Sequence, residues 1–266
     1  MTQTPGPSAP LRTGRGLSYL GFAVVVIVYL AIIQLGGRVI SHAADIDETH
    51  GFVTTHNLLL TLWVPIGISL VFTYAVVIWL GWLQPVLHDD QPVNRWVWVV
   101  PIVFAVGIAG AIDYHALADK GLAFTVVLLV GTQFVGWAEE GMFRGIGVTM
   151  FRRHGMSQAQ VAIWSSAVFG AVHLTNALGR GAQAIPQAIA VSFAGYFFYL
   201  IRRVSRGNVL NSVLHGLFDF SILSGTAVVV QQDIYPASSL AILVYVVLAV
   251  VLLVRRKHIE PSPSHR

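Results

Sequence analysis

The sequence predicts an all-α protein, a polytopic transmembrane helical bundle of about eight spans. Three observations carry that prediction. Of the 266 residues, 55% are hydrophobic and only 11% charged, whereas soluble domains average about 25% charged residues. Eight apolar stretches are each long enough to cross a bilayer core, which takes about 20 helical residues. The basic residues, finally, fall almost entirely on one side of the alternation those stretches create.

Taken in order, the N-terminal residues 1–16 are rich in Pro, Gly, Ser and Thr, the composition of a disordered tail. The first apolar run, Leu17–Leu35, has 19 residues. A signal-peptide core has about 7–15, so this run is expected to be a retained span. The others are Leu58–Trp82, Trp96–Ile112, Gly121–Phe151, Ser157–Thr175, Ala184–Ile201, Asn208–Val230 and Pro236–Val254. Residues 17–254 then form one transmembrane domain, and 255–266 a basic tail. The fourth stretch is anomalous, because its 31 residues make a helix of about 46 Å, against a core of about 30 Å. The hairpin joining it to the fifth is therefore expected to project beyond the bilayer.

Charge placement gives the orientation. With the N-terminus inside, the inner segments hold Arg12, Arg15, Arg95, Arg152, Arg153, Arg202, Arg203, Arg206, Arg255, Arg256, Lys257 and Arg266. The outer loops hold Arg38, Lys120 and Arg180, and the first of them also carries Asp45, Asp47 and Glu48. This distribution predicts a cell-membrane protein with both termini cytoplasmic. It also accounts for the net charge of +4 without a nucleic-acid partner. The chain has no cysteine, which excludes disulfides, thiolate zinc sites and a cysteine nucleophile.

Six ionisable side chains remain well inside the spans: Glu139, Glu140, Arg144, His173, His215 and Asp219. Each charge at a helix centre costs about 2.5–3.5 kcal/mol on insertion scales. A single such residue is as well read as a hydrogen bond between helices. Six in three short clusters, with nothing ionisable elsewhere at depth, point to one shared polar site. Glu140 and Arg144 are i,i+4 neighbours and can pair, which leaves Glu139, about 100° round the helix, facing the site. His215 and Asp219 share a helix face by the same spacing. Gly141 and Gly145 read as close helix packing. Glu139 lies 16 residues before Gly155 and His173 lies 18 after it, so an antiparallel hairpin sets them side by side. His215 matches their depth if the hairpin projects by about 10–15 Å.

These three motifs, Glu139-Glu140-x-x-x-Arg144, Phe169-x-x-x-His173 and His215-x-x-x-Asp219, resemble in kind and order those of the CPBP intramembrane proteases. That family includes the CAAX prenyl endopeptidases and bacteriocin-immunity relatives, and the resemblance covers about residues 120–230. It implies hydrolysis of a peptide bond in a membrane-associated substrate, of the prenylated CAAX type in the family's eukaryotic members and open here, with membrane lipid as the surrounding partner. Glu139 would be the general base on a water that His173 also holds, and His215 would donate to the oxyanion. Glu140 and Arg144 would support them. Asp219 stands where some members have Asn. It would be protonated, or hold His215 as a charged donor, or ligate a metal.

The family is often labelled metallopeptidase, and Glu139, His173, His215 and Asp219 form a conceivable set of zinc ligands. No HExxH is present, and a glutamate-activated water serves equally, so no cofactor is favoured. Two other classes use similar residues: a proton- or ion-coupled transporter, and a non-catalytic immunity-type membrane protein.

Overall fold

The computed structural model describes residues 14–46, 54–176, 181–226 and 236–261, and each apolar stretch becomes a helix. In chain order these are α1 (Tyr19–Ala43), α2 (Thr55–Leu80), α3 (Leu83–Leu87), α4 (Arg95–Ala111) and α5 (Tyr114–Lys120). There follow α6 (Leu122–Arg153), α7 (Gln158–Val172), α8 (Ala184–Val204), α9 (Val209–Thr226) and α10 (Pro236–Val254). No strand occurs among the described residues. The tail through residue 13 with Arg12, the loop residues Asp47 and Glu48, Arg180 and Arg266 lie outside them.

The exterior is what lipid requires. Leu20, Ile27, Val71, Ile102, Leu122 and Val254 are all more than half exposed, and an apolar surface of this extent is stable against acyl chains rather than water. The protein is an all-α integral membrane bundle. Four helices, α1, α2, α6 and α8, are by themselves long and apolar enough to cross. The α4–α5 pair, bent by 54°, makes a fifth if it is one span. The remaining expected spans are present as helices but differ in kind. With 15 residues, α7 is about 23 Å long, and α9 carries Asn211, His215 and Asp219 on 18 residues.

α6 runs continuously over 32 residues, about 48 Å. It ends in a tight turn at Gly155 (φ +80°), where only a residue without Cβ is unstrained. Ser157 then starts α7 with a reciprocal capping box to Gln160. Within α6, residues Glu140–Gly147 adopt π-helical hydrogen bonding, which periodicity does not predict. Such widened turns are frequent at functional sites, although a second one, Leu59–Trp63 in α2, lies on an apolar segment. Gly141 and Gly145 do serve close packing: a Cβ there would meet Thr73 at 3.0 Å and Val86 at 2.7 Å.

Two contacts fix the frame around the site. The first joins α6 to α9 almost backbone to backbone. A Cβ on Gly136 would run into the Ser212 carbonyl and the Gly216 amide, and one on Gly216 would lie 2.8 Å from the Thr132 carbonyl. The second is a polar clamp at the end of the bundle where α2, α6, α8 and α9 meet their loops. Buried Asp89 accepts from Arg152 at 2.9 Å, Arg202 at 3.0 Å and the Gln91 amide at 3.1 Å. Arg202, fully buried, also donates to the carbonyls of Val86, Pro85 and His88. Several of the basic residues that set the charge bias are thus structural ties.

Two predictions follow from these contacts. Gly136→Ala should cost about 1–3 kcal/mol through overpacking, measured by thermal unfolding in detergent. Gly110→Ala, which meets open space, should be neutral or slightly stabilising. At Asp89 burial raises the carboxyl's proton affinity, but Arg202 and Arg152 outweigh it and hold its pKa below the ordinary 3.8. A depressed folded-state pKa contributes stability above the unfolded value and loses it as pH falls through the folded value. Stability should therefore decline below about pH 4 in the wild type. Asp89→Asn should start lower and show a shallower acid limb.

Candidate active site

The site is built on π-helical α6, the end of α7 and the middle of α9. Glu140, with no exposed surface, is its anchor. One carboxylate oxygen accepts from Arg144 Nη1 at 3.1 Å and from His215 Nδ1 at 2.8 Å. The other accepts from Asn211 Nδ2. The Glu140–Arg144 pair expected from the i,i+4 spacing is present. Arg144 is also sandwiched in aromatic contact, its Cζ 4.0 Å from the Phe169 ring centroid and 5.4 Å from that of Phe198.

His215 is the hub. A carboxylate only accepts, so Nδ1 facing Glu140 carries the proton and Nε2 points the other way. There it lies 3.6 Å from Glu139 Oε2 and 3.6 Å from Asp219 Oδ2. Phe198 stacks on the imidazole at 4.2 Å and 18°, so the ring plane is fixed by packing as well as by hydrogen bonding. The Glu139 side chain is 15% exposed and that of Asp219 24%, against 0% for Glu140 and 5% for His215. Of the α6 carboxylates, Glu139 is the one turned toward open space.

His173 stands beside this cluster. Its Nδ1 lies 2.8 Å from the Phe169 carbonyl, also an acceptor only, so in the neutral ring Nε2 carries the lone pair. Phe169 contacts both imidazoles, its ring centroid 5.0 Å from that of His173 and 5.8 Å from that of His215. The short 3-10 turn that follows, His173–Asn176, is pinned by Gln34 of α1 to Thr175 at 3.2 Å and Asn176 at 3.1 Å. The chain thus brings Glu139, Glu140, His215 and Asp219 into one cluster, with His173 joined to it through a shared contact with Phe169.

Asn211 and Phe198 are the members that sequence reasoning missed. Asn211 carried a usable signal, because Asn211-x-x-x-His215-x-x-x-Asp219 is a single polar stripe at i,i+4 spacing. Phe198 carried none in an apolar helix. As placed, these side chains do not fit the divalent metal allowed for above: among the described residues no three His, Asp or Glu are arranged to hold an ion.

Fold and site together define an integral membrane helical bundle with a buried carboxylate–histidine cluster. Residues 120–221 match the family model described as type II CAAX prenyl endopeptidase, Rce1-like. That segment is similar to the CPBP/CAAX protease family, and the match supports a CAAX-type intramembrane endopeptidase in general terms. The matched segment spans most of α6 to α9 and contains all six ionisable residues. No curated protein and no solved structure gives a significant match.

The buried Glu140–Arg144 pair yields a prediction. Removing one partner of a buried pair leaves an uncompensated charge and costs about 3–5 kcal/mol. Arg144→Met should therefore lower thermal stability severely, while Glu140→Gln/Arg144→Met should recover part of the loss. Unfolding of both variants in one detergent measures the difference.

Proposed function

We propose that this protein hydrolyses a peptide bond of a membrane-associated substrate with a water activated by Glu139. The observation that carries the reading is the setting of His215, with Nδ1 committed to Glu140 and Nε2 facing Glu139 and Asp219 at 3.6 Å. The two histidines are biased to opposite roles. His173, its Nδ1–H spent on a backbone carbonyl, offers a lone pair that can accept a hydrogen from water. His215, flanked by three carboxylates, is set up to carry a second proton and donate through Nε2.

The chemistry follows from these roles. A water held between the Glu139 carboxylate and His173 Nε2 gives its proton to Glu139 as its oxygen attacks the scissile carbonyl carbon. The tetrahedral oxyanion is stabilised by the Nε2–H of His215. Asp219, at the same nitrogen, keeps that imidazole charged and oriented, which is the second of its three candidate roles. Glu139 then passes its proton to the departing amine as the C–N bond breaks, and the base is regenerated. Glu140, Arg144 and Asn211 hold His215 in place and touch no reacting atom.

We assign as substrate a peptide anchored at the membrane, with the prenylated CAAX type named by the family description as the first to test. We place the protein in the cell membrane with both termini cytoplasmic, on the charge bias of its loops. Lipid is its surroundings and a membrane-held peptide its partner.

The test is cleavage of a fluorogenic farnesylated CAAX peptide by purified protein in proteoliposomes, together with a proteomic search for one unprocessed membrane-anchored peptide in variant cells. Glu139→Gln should lower kcat by about 10²–10⁴ with unfolding unchanged. His215→Gln should lower it by about 10²–10³, the usual loss of an oxyanion donor. Asp219→Asn should stay within about tenfold of wild type, since an amide can itself donate to the oxyanion. Full turnover by Glu139→Gln, or ion uptake that survives while no peptide is cut, would overturn the assignment.

A further inference from the structure

A cleft away from the carboxylate–histidine cluster lies at the end of the bundle where α7 begins and α8 and α10 finish. It has a volume of about 270 Å³. One wall is the segment after α10, where apolar helix gives way to Arg255, Arg256 and Lys257, all exposed. That wall is preformed. Asn94 donates to the carbonyls of His258 at 3.0 Å and Glu260 at 3.2 Å, and Trp96 Nε1 donates to that of His258 at 2.9 Å.

The cleft is two-sided in chemistry. At its head are Arg256 and Lys257, together with the first turn of α7, whose Gln158 and Ala159 line it. In this 15-residue helix the Gln160 N–H is taken by the Ser157 cap, while the N–H groups of Gln158 and Ala159 have no carbonyl partners within the helix and favour an anion. Arg203, only 2% exposed, lines the cleft as well, and its buried Nε has no hydrogen-bond partner among the described residues. One carboxylate is present, Glu260, held 3.5 Å from Arg203 Nη2. It offsets that arginine and leaves Arg256 and Lys257 in excess. Below the head the lining turns apolar, with half-exposed Ile163 on α7 and Leu253 on α10.

We propose that this cleft binds an anionic phospholipid, its phosphate against Arg256, Lys257 and the start of α7 and its acyl chain along Ile163 and Leu253. A basic head directly above an apolar slot, at the end of membrane helices, matches a lipid phosphate and its chain in order and in depth. A soluble phosphate would leave the apolar half unused. The site requires none of the residues assigned to peptide hydrolysis, so it stands or falls separately from that reading.

The test uses the purified full chain in a neutral detergent, with thermal unfolding read against added lipid and native mass spectrometry counting what is retained. Phosphatidylglycerol should raise the melting temperature and stay bound, and phosphatidylcholine should do neither. R256Q/K257Q should weaken the apparent affinity for phosphatidylglycerol by about 30-fold, from about 1 kcal/mol per basic residue. R256K/K257R should keep it, and R95Q, on a neighbouring cleft, should leave it unchanged. Equal effects of the two lipids, or undiminished binding by R256Q/K257Q, would overturn the proposal. So would inorganic phosphate or glycerol phosphate reproducing the whole shift, because the site would then recognise phosphate alone.

Discussion

The arrangement depends on one carboxylate that cannot be left unsatisfied. Glu140 is closed off from solvent entirely, and a buried charge is stable only when paired and hydrogen-bonded. Three donors meet it: Arg144 from its own helix, Asn211 and His215 from α9. Two of the three come from another element, so the requirement of one side chain fixes one helix against another. A slip of α9 by one turn, about 5.4 Å, would strip Glu140 of two donors at once. The glycine contact at Gly136 and Gly216, one turn from Glu140 and beside His215, makes that register sterically accessible. Polar satisfaction and close packing select the same alignment.

That alignment determines what the imidazoles can do. Neither histidine is free to choose its tautomer, because each has Nδ1 opposite a group that only accepts. One ring is thereby disposed to accept and the other, among carboxylates, to donate. A hydrolytic site needs one of each: something to hold and deprotonate water, and something to meet the charge that develops on the carbonyl oxygen. The division comes from backbone and carboxylate partners rather than from the histidines themselves, which is why two identical side chains can carry different duties.

Much of this was legible in the sequence, and the reasons differ by residue. Helix positions followed from apolar length, because a bilayer core accepts little else. Glu140 with Arg144 and His215 with Asp219 were legible because i,i+4 spacing is set by helix geometry alone. That Glu139, Glu140, His215 and Asp219 would cluster was legible because every charge at depth is costly, so those present are few. The π-helical turn at Glu140–Gly147 was not, since hydrogen-bond register within a helix leaves no mark in periodicity. Phe198 against His215 was not, because one phenylalanine in an apolar helix resembles any other. Asn211 lies between: uncharged, it escaped a search for ionisable residues, yet it continues the stripe of His215 and Asp219. Among the described residues, four or five helices meet the length and composition of a span unaided. α7 falls short in length, at 15 residues, and α9 in composition, because Asn211, His215 and Asp219 take the place of apolar residues that a lipid-facing helix would carry.

The exposures of the clustered side chains then give the site a direction. Glu140 and His215 are closed at 0% and 5%, while Glu139 and Asp219 open to 15% and 24%. The donors that fix geometry are on the sealed side, and the carboxylates that would meet water and substrate are on the open one. A reacting carboxylate needs water within reach but not a full hydration shell, which would dissipate the field of its neighbours. In a bilayer the sealed side is secured by hydrocarbon and packed aromatics, so only the open side has to be built. Glu139 and Asp219 face one another across His215 Nε2 on that side. On the proposed reading, the scissile carbonyl would be met from that side.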